Sequence, residues 1–342
     1  MADVTDAAFR RIIAKHSKPY GPDVMFTEFV SADGLFLRPI RESLPLGKRS
    51  DFEEIAFSNG VAPDNPLLHD LLYTENERPI VAQFFTANPE MMERAARLAV
   101  ELGFDGVDIN MGCPDRGIEK QGAGAALMKT PSLARELIKA ARRGAELEKK
   151  KLPISIKTRI GYNKNEIETW LPELLAETPV AITVHARTRK EMSKVTARWD
   201  VIARAVEIRD EAKSRTLIVG NGDVLSIDDA QKKAKETSVD GVMLGKAIFG
   251  NPSLFSNSRE LENRDDPRVV AKILFIAVEH TKLFEELFVG SPTSGKNFSI
   301  MKKHYKAYVN GFGGAKELRM KLMDAENAKE VEGIVSNFLK TQ

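Results

Sequence analysis

Apolar positions along this chain follow two alternating periods. Short, largely apolar runs rich in β-branched residues occur at 24–28, 80–84, 106–109, 154–157, 181–185, 217–220 and 241–244, as expected for strands covered on both faces. Between them, at 90–102, 132–145, 166–176, 199–213 and 226–236, apolar residues recur three and four apart and predict helices. A further helix is predicted over 6–15, with Thr5 as its cap. Strand–helix alternation predicts parallel pairing and an α/β fold, and seven strands ending in polar or glycine residues point to a (β/α)8 TIM barrel. Its first strand is expected to be missing or truncated, because the loop at 1–6 should follow a strand. An open doubly wound sheet is disfavoured, since no Gly-x-Gly-x-x-Gly fingerprint follows an early strand. After Pro252 the strand pattern stops, and 267–342 shows only helical periodicity, broken at 290–295 and 311–314. The expected organisation is a barrel domain over 1–255 and a small all-α domain over 256–342.

Composition narrows the class. The 342 residues suffice for a barrel and a smaller domain, and 42% hydrophobic with 29% charged residues is ordinary for a soluble globular chain. No apolar run nears the roughly 20 residues that span a bilayer, and no signal-peptide pattern opens the chain. The single cysteine and the lack of a targeting segment predict a reducing cytoplasm. A net charge of +2 does not announce a polyanion partner, so any nucleic-acid surface must be a local patch. A monomer without membrane contact is the expectation.

Candidate chemistry gathers at the strand ends. Cys113 follows the run Val107-Asp108-Ile109-Asn110-Met111-Gly112, and as a lone cysteine it serves packing or reactivity rather than a disulfide. Gln83, Asn110, Lys157, Arg159, His185, Arg187, Asn221, Asp223, Gly245 and Lys246 stand at or just beyond other strand ends, which in a barrel converge on the active face. Gly220-Asn221-Gly222-Asp223 and Gly245-Lys246 occupy the two loops where barrels often bind phosphate through glycine amides, with Lys246 adding positive charge. Structural readings stay open for each: a core cysteine, solvated rim charges at Lys157 and Arg159, a backbone-bonded His185, an Asn110 that shapes the turn, glycines that merely turn the chain. The segment Gly290 to Asn297 approaches P-loop spacing, but Asn297 stands where Ser or Thr should be and no strand precedes it. Five histidines without ligand spacing and one cysteine argue against a metal site.

Together these segments resemble the dihydrouridine synthases, FMN-dependent enzymes that reduce uridine in tRNA. The resemblance rests on Val4-Thr5-Asp6 with Phe9-Arg10, Thr27-Glu28, Asn110-Met111-Gly112-Cys113-Pro114, Lys157-Thr158-Arg159-Ile160-Gly161, His185-Ala186-Arg187-Thr188, Gly220-Asn221-Gly222-Asp223, and Gly245-Lys246 through Gly250-Asn251-Pro252. Lys302-Lys303-His304-Tyr305 and Arg319 resemble the family's helical tRNA-binding domain. Three departures stand out: only Met1 remains of an Ala-Pro-Met strand end, Lys246 replaces the usual arginine, and Ala186 the usual glycine. The segment 37–77 resembles an insertion.

The resemblance implies that Gln83, Lys157, His185, Asn221, Gly222, Asp223, Gly245 and Lys246 hold FMN. It further implies that Asn110 and Arg159 orient the uracil, that Arg187 helps hold substrate, and that Cys113 is the general acid. NADPH would be the reductant and tRNA the partner, held through Lys302, Lys303 and Arg319 within a basic stretch that also contains Lys296, Lys306 and Lys316, interleaved with Tyr305 and Tyr308. Rival functions are a flavin barrel acting on a free pyrimidine such as dihydroorotate, and a non-catalytic tRNA-binding protein.

Overall fold

The computed structural model describes residues 4–37, 50–147, 150–256, 261, 263–291 and 293–341. The expected remnant of a first strand at Met1, and part of the expected insertion, lie outside them. The chain forms two compact units: Phe29–Leu68 with Pro79–Gly245, and Met1–Glu28 with His69–Arg78 and Lys246–Gln342.

The first of these is the α/β unit. Strand β1 (Met25–Ser31) leads the chain into it. The other strands of its sheet are β2 (Ile80–Phe85), β3 (Gly106–Asn110), β6 (Ile154–Arg159), β7 (Ala181–His185), β8 (Leu217–Asn221) and β9 (Gly241–Met243). The seven strands stand in the order β1-β2-β3-β6-β7-β8-β9, and every ladder from β2 to β9 is parallel. All seven runs read from the hydrophobic pattern are therefore strands. β3 is buried at each of its five positions, as its largely apolar character requires. A small antiparallel ribbon, β4 (Glu146–Leu147) with β5 (Lys150–Lys151), lies apart from this sheet.

Helices α2 (Ala32–Phe36), α3 (Asp51–Ser58), α4 (Pro89–Glu101), α5 (Arg116–Lys120), α6 (Pro131–Gly144), α7 (Ile167–Leu175), α8 (Trp199–Glu211) and α9 (Ile227–Thr237) occupy the connections. Their starts are chemically marked. Asn88 accepts from the Glu90 amide at 2.9 Å with Pro89 in the first turn of α4, and Ser226 accepts from the Asp229 amide at 3.0 Å ahead of α9. α4 and α6 pack so closely that a Cβ on Gly144 would lie 1.9 Å from the Glu93 carbonyl oxygen.

The helical unit contains α1 (Ala7–Ser17), α10 (Pro267–Phe284), α11 (Met301–Tyr308), α12 (Ala315–Asp324) and α13 (Ala328–Leu339). Both expected breaks in its periodicity are breaks between helices. Asp6, not Thr5, caps α1: its carboxylate accepts from the Phe9 amide at 2.9 Å. The core includes Phe9, Ile12, Ile273, Phe284, Phe288, Met301, Tyr305, Tyr308 and Leu318. Tyr305 and Tyr308 are thus core residues rather than exposed aromatics of a basic surface. They share a face of α11 with Met301 and His304, at spacings of three and four, which leaves Lys303 and Lys306 exposed on the other side.

Lys296 is also withdrawn from that surface. Its ammonium lies 2.5 Å from Glu28 and 2.9 Å from Asp70, so the near-P-loop segment ends in a buried ion pair. In the same unit Arg10 is 1% exposed, with Nε 2.8 Å from Glu77 and further bonds to the carbonyls of Thr5 and Leu72.

Candidate active site

Register places the polar strand ends in two levels of the sheet. Asn110 pairs across with Lys157 and Lys157 with Thr183; one level on, Arg159 pairs with His185 and His185 with Asn221. Five expected site residues therefore share neighbouring positions at the carboxyl ends of β3, β6, β7 and β8, where parallel barrels hold their chemistry.

Asn110 organises the turn that carries the thiol. Its Oδ1 accepts from the amides of Gly112 at 3.1 Å and Cys113 at 2.9 Å, and its Nδ2 donates to Gln83 Oε1 at 3.1 Å. The Cys113 carbonyl accepts from the Ala125 amide at 2.9 Å. Gly124 permits that contact: it has φ +60°, and a Cβ there would lie 2.8 Å from the Cys113 oxygen. Cys113 is partly buried and packs against a small cluster of Phe85, Ile118 and Ala123. Burial pushes the thiol pKa up, with Asp115 and Glu119 adding to it and the Asp115 amide and Arg159 opposing. The thiol is therefore protonated at neutral pH.

Arg159 ties two loops together. Nε donates to the Gly112 carbonyl at 2.8 Å, while Nη1 donates to the carbonyls of Thr188 at 3.2 Å and Met192 at 3.0 Å. Its Nη2 has no partner among the described residues. Burial, opposed by Cys113, lowers the guanidinium pKa to about 10.

Lys157 differs from both. Among the described residues its ammonium makes no hydrogen bond and no ion pair. Burial first, and the Arg159 cation second, pull its pKa down to about 7, against the pull of Asp108. A cation withdrawn from water without a counter-ion is costly, and it is ready to meet an acceptor or an anion.

Near the end of β8, Asn221 Nδ2 donates to the Met243 carbonyl at 2.8 Å, and Trp199 Nε1 donates to the Gly222 carbonyl at 2.8 Å. Gly222 has φ +125°, and a Cβ there would lie 3.1 Å from His185 Cδ2. Arg187, 5% exposed, ion-pairs with Asp223 and places Nη1 3.3 Å from His185 Nε2. Asp223 also accepts from the Ala197 amide at 2.8 Å. Arg187 thus braces His185 and the turn that holds Asp223, whose carboxylate, though exposed, is engaged by Arg187 and the Ala197 amide. Gly245 closes this unit's chain just past β9; Lys246 is exposed and belongs with Lys302, Lys303 and Arg319 to the helical unit. One Arg319 nitrogen donates to the Val309 carbonyl at 3.0 Å.

Sequence reasoning passed over Asp108, Ser155, Gly124 and Trp199. Asp108 was detectable in principle, because a carboxylate inside an otherwise apolar strand is expensive unless it has partners. Trp199 and Gly124 act through backbone contacts that no spacing rule exposes.

The chain has relatives among known proteins. The family model described as dihydrouridine synthase matches residues 53–342. A probable tRNA-dihydrouridine synthase 2 of Bacillus subtilis (strain 168) is 33% identical over 339 residues, covering 99% of this chain and 92% of that protein. A probable tRNA-dihydrouridine synthase of Staphylococcus aureus (strain MRSA252) is 32% identical, covering 99% and 91%. Among solved structures, histamine dehydrogenase from Rhizobium sp. 4-9 matches with a TM-score of 0.50 at 12% identity, covering 99% of this chain and 60% of that one. That last likeness is one of fold.

Proposed function

The chain belongs to the dihydrouridine synthase family, and from that premise we propose that it reduces the carbon 5–carbon 6 double bond of uridine in tRNA. The observation that carries the reading is the Asn110–Cys113 turn: a protonated thiol, the only one in the chain, fixed by an amide whose strand position pairs with Lys157, a lysine with no ion pair among the described residues.

FMN suits the residues present. Lys157 offers a buried cation with no ion pair among the described residues, and Gly222 stands in the turn after β8 against His185. Gln83, Lys157, His185, Asn221, Gly222 and Asp223 are the residues we assign to holding it; Gly245 and Lys246 join them on family resemblance alone. Held there, FMN would supply hydride chemistry at carbon 6 of the uracil, with NADPH as its reductant. Cys113 gives its proton to carbon 5, where the electron pair of the former double bond arrives. A thiol with a raised pKa is in the correct state for that task at neutral pH, and such acid catalysis contributes roughly 10²–10⁴-fold. Lys157 balances negative charge near the ring system. Arg159 Nη2 and Asn110 orient the base, and the Arg187–Asp223 pair keeps His185 in place.

The target uridine must leave its stack, at a cost of a few kcal/mol. Lys302, Lys303 and Arg319, with Lys306 and Lys316, supply phosphate contacts that offset this cost. On this reading 1–255 is the catalytic domain and 256–342 the tRNA-binding domain of a monomeric cytoplasmic enzyme. Among the described residues no helix is long and apolar enough to cross a membrane.

The test is direct. Unmodified tRNA, NADPH and FMN-loaded protein should yield dihydrouridine, and C113A should keep its flavin while losing most of that product. Full activity in C113A would remove the acid assignment. Flavin-loaded protein that leaves tRNA unchanged would remove the substrate.

A further inference from the structure

Asp108 lies in the middle of β3, 1% exposed, in a position that asks for an apolar residue. Its Oδ1 accepts from Ser155 Oγ at 2.6 Å, and its Oδ2 accepts from Gln83 Nε2 at 2.7 Å. Gln83 Oε1 in turn accepts from Asn110 Nδ2, and Asn110 Oδ1 accepts from the Gly112 and Cys113 amides.

Each end of this chain of bonds has only one possible polarity. The backbone amides at the Cys113 turn can only donate, so Asn110 must present its oxygen to them. Its nitrogen then faces Gln83, which must answer with oxygen. That leaves the Gln83 nitrogen pointing away, toward a group that must accept. An ionised carboxylate is acceptor-only, whereas most other side chains of this size could face Gln83 either way.

We propose that Asp108 is a positioning residue: through Gln83 and Asn110 it sets the direction of both amides and so fixes the turn that presents the Cys113 thiol. The inference rests on the reading of that turn as catalytic, but the bond directions do not depend on which substrate is reduced. Burial raises the Asp108 pKa to about 6, opposed by Ser155, Gln83 and Lys157. The carboxylate therefore still accepts at neutral pH, although its burial is unfavourable.

Because Cys113 is the only cysteine, its alkylation by iodoacetamide reads the turn without flavin or tRNA. Q83E places a carboxylate against Asp108 and should raise the alkylation rate about tenfold at pH 8, since a freed turn exposes its thiol. D108N combined with Q83E restores each bond of this chain with the charge moved one step along. The amide introduced by D108N donates to the carboxylate introduced by Q83E, and Asn110 Nδ2 donates to that same carboxylate as it did to the parent oxygen. The double variant should return to within about twofold of the parent across the alkylation pH profile, a rescue that general loosening cannot produce. A Q83E rate equal to the parent's, or a double variant no slower than Q83E, overturns the proposal. Should Q83E not fold, Q83M removes both bonds without adding charge; an unchanged rate there overturns it equally. If the rescue succeeds but tRNA is not reduced, the positioning role stands and the proposed reaction fails. If tRNA is reduced without rescue, the reverse holds.

Discussion

In the helical unit Arg10 and Lys296 are buried with carboxylates against them; in the α/β unit Lys157 is withdrawn from water with no carboxylate in contact among the described residues. Arg10 also satisfies two backbone carbonyls, and Lys296 bridges Glu28 and Asp70. Those charges are matched within the protein, which is what a structural ion pair requires. Among the described residues Lys157 has no ion pair, only the more distant pull of Asp108, which is tolerable where a ligand completes the site. The difference separates cations that hold the fold from a cation held ready by the fold.

Breaking the matched side should have the largest effect. R10L takes from buried Glu77 its closest cation, leaving Arg11 at 3.8 Å, and strips a donor from the Thr5 and Leu72 carbonyls; it should lower the unfolding free energy by about 3–5 kcal/mol in urea titration. A loss under about 1 kcal/mol would mean that the pair is no more structural than a surface contact.

The unmatched side should respond with the opposite sign. A lysine whose folded pKa lies below its unfolded value loses stability as pH falls from the unfolded value toward the folded one. For Lys157 that window runs from 10.5 down to about 7. Flavin-free K157M should therefore be more stable than the parent by about 2–4 kcal/mol at pH 7 and indistinguishable from it near pH 10.5. Its FMN affinity should fall by about tenfold or more, as loss of a charge-assisted contact implies. A K157M protein that is less stable at pH 7 would place Lys157 with Arg10 and dissolve the distinction.

This contrast also marks how much was legible beforehand. The strands were legible because continuous apolar runs between amphipathic helices admit few architectures, and all seven appear in the sheet. Asn110, Lys157 and His185 were legible as polar residues at or near strand ends, with Cys113 in the turn past β3. What the sequence hid was engagement. Arg187 and Asp223 look like two groups available to ligands, yet they pair with each other. Lys296 looks like one more lysine of a basic stretch, but its partners Glu28 and Asp70 are more than two hundred residues away in the chain. Tyr305 and Tyr308 alternate with lysines in sequence, while the turn of α11 sends them to the core. Spacing reports which face a residue takes, not what waits there.

A third kind of buried polar group, uncharged and only partly matched, sits in the helical core, where the Tyr308 hydroxyl reaches His280 Nδ1 at 3.3 Å. His280 and His304 meet at 4.5 Å between ring centres among Phe9, Phe249 and Tyr308, and both His304 nitrogens and His280 Nε2 lack partners among the described residues. Burial first, and the neighbouring Lys303 charge second, pull the His304 pKa down to about 3. Burial likewise lowers His280, with His304 contributing. The unfolded chain then takes up protons first, so stability present above pH 6.5 is lost as pH falls below it. Between pH 6.5 and 5 the parent should lose about 1.5 kcal/mol more than H304L, the difference cancelling what other groups contribute. Parallel pH curves for the two proteins would show that these rings are reached by water.

The smallest effect expected is also the one that tests whether exposed cations form a third class. The same periodicity that buries Met301, His304, Tyr305 and Tyr308 leaves Lys303 exposed and Lys302 half-buried at the flank of α11. Neither lysine belongs to the buried face of α11, so reversing them removes nothing from the core. If they serve phosphate, K302E/K303E should weaken tRNA binding by about tenfold at low salt and flatten the dependence of affinity on salt concentration, because fewer counterions are released. Unfolding midpoint and FMN content should stay with the parent, unlike R10L in the first respect and K157M in the second. An unchanged salt slope would show that tRNA contacts other parts of the chain. These lysines would then be solvated charge, and the division between matched and ready cations would be complete without them.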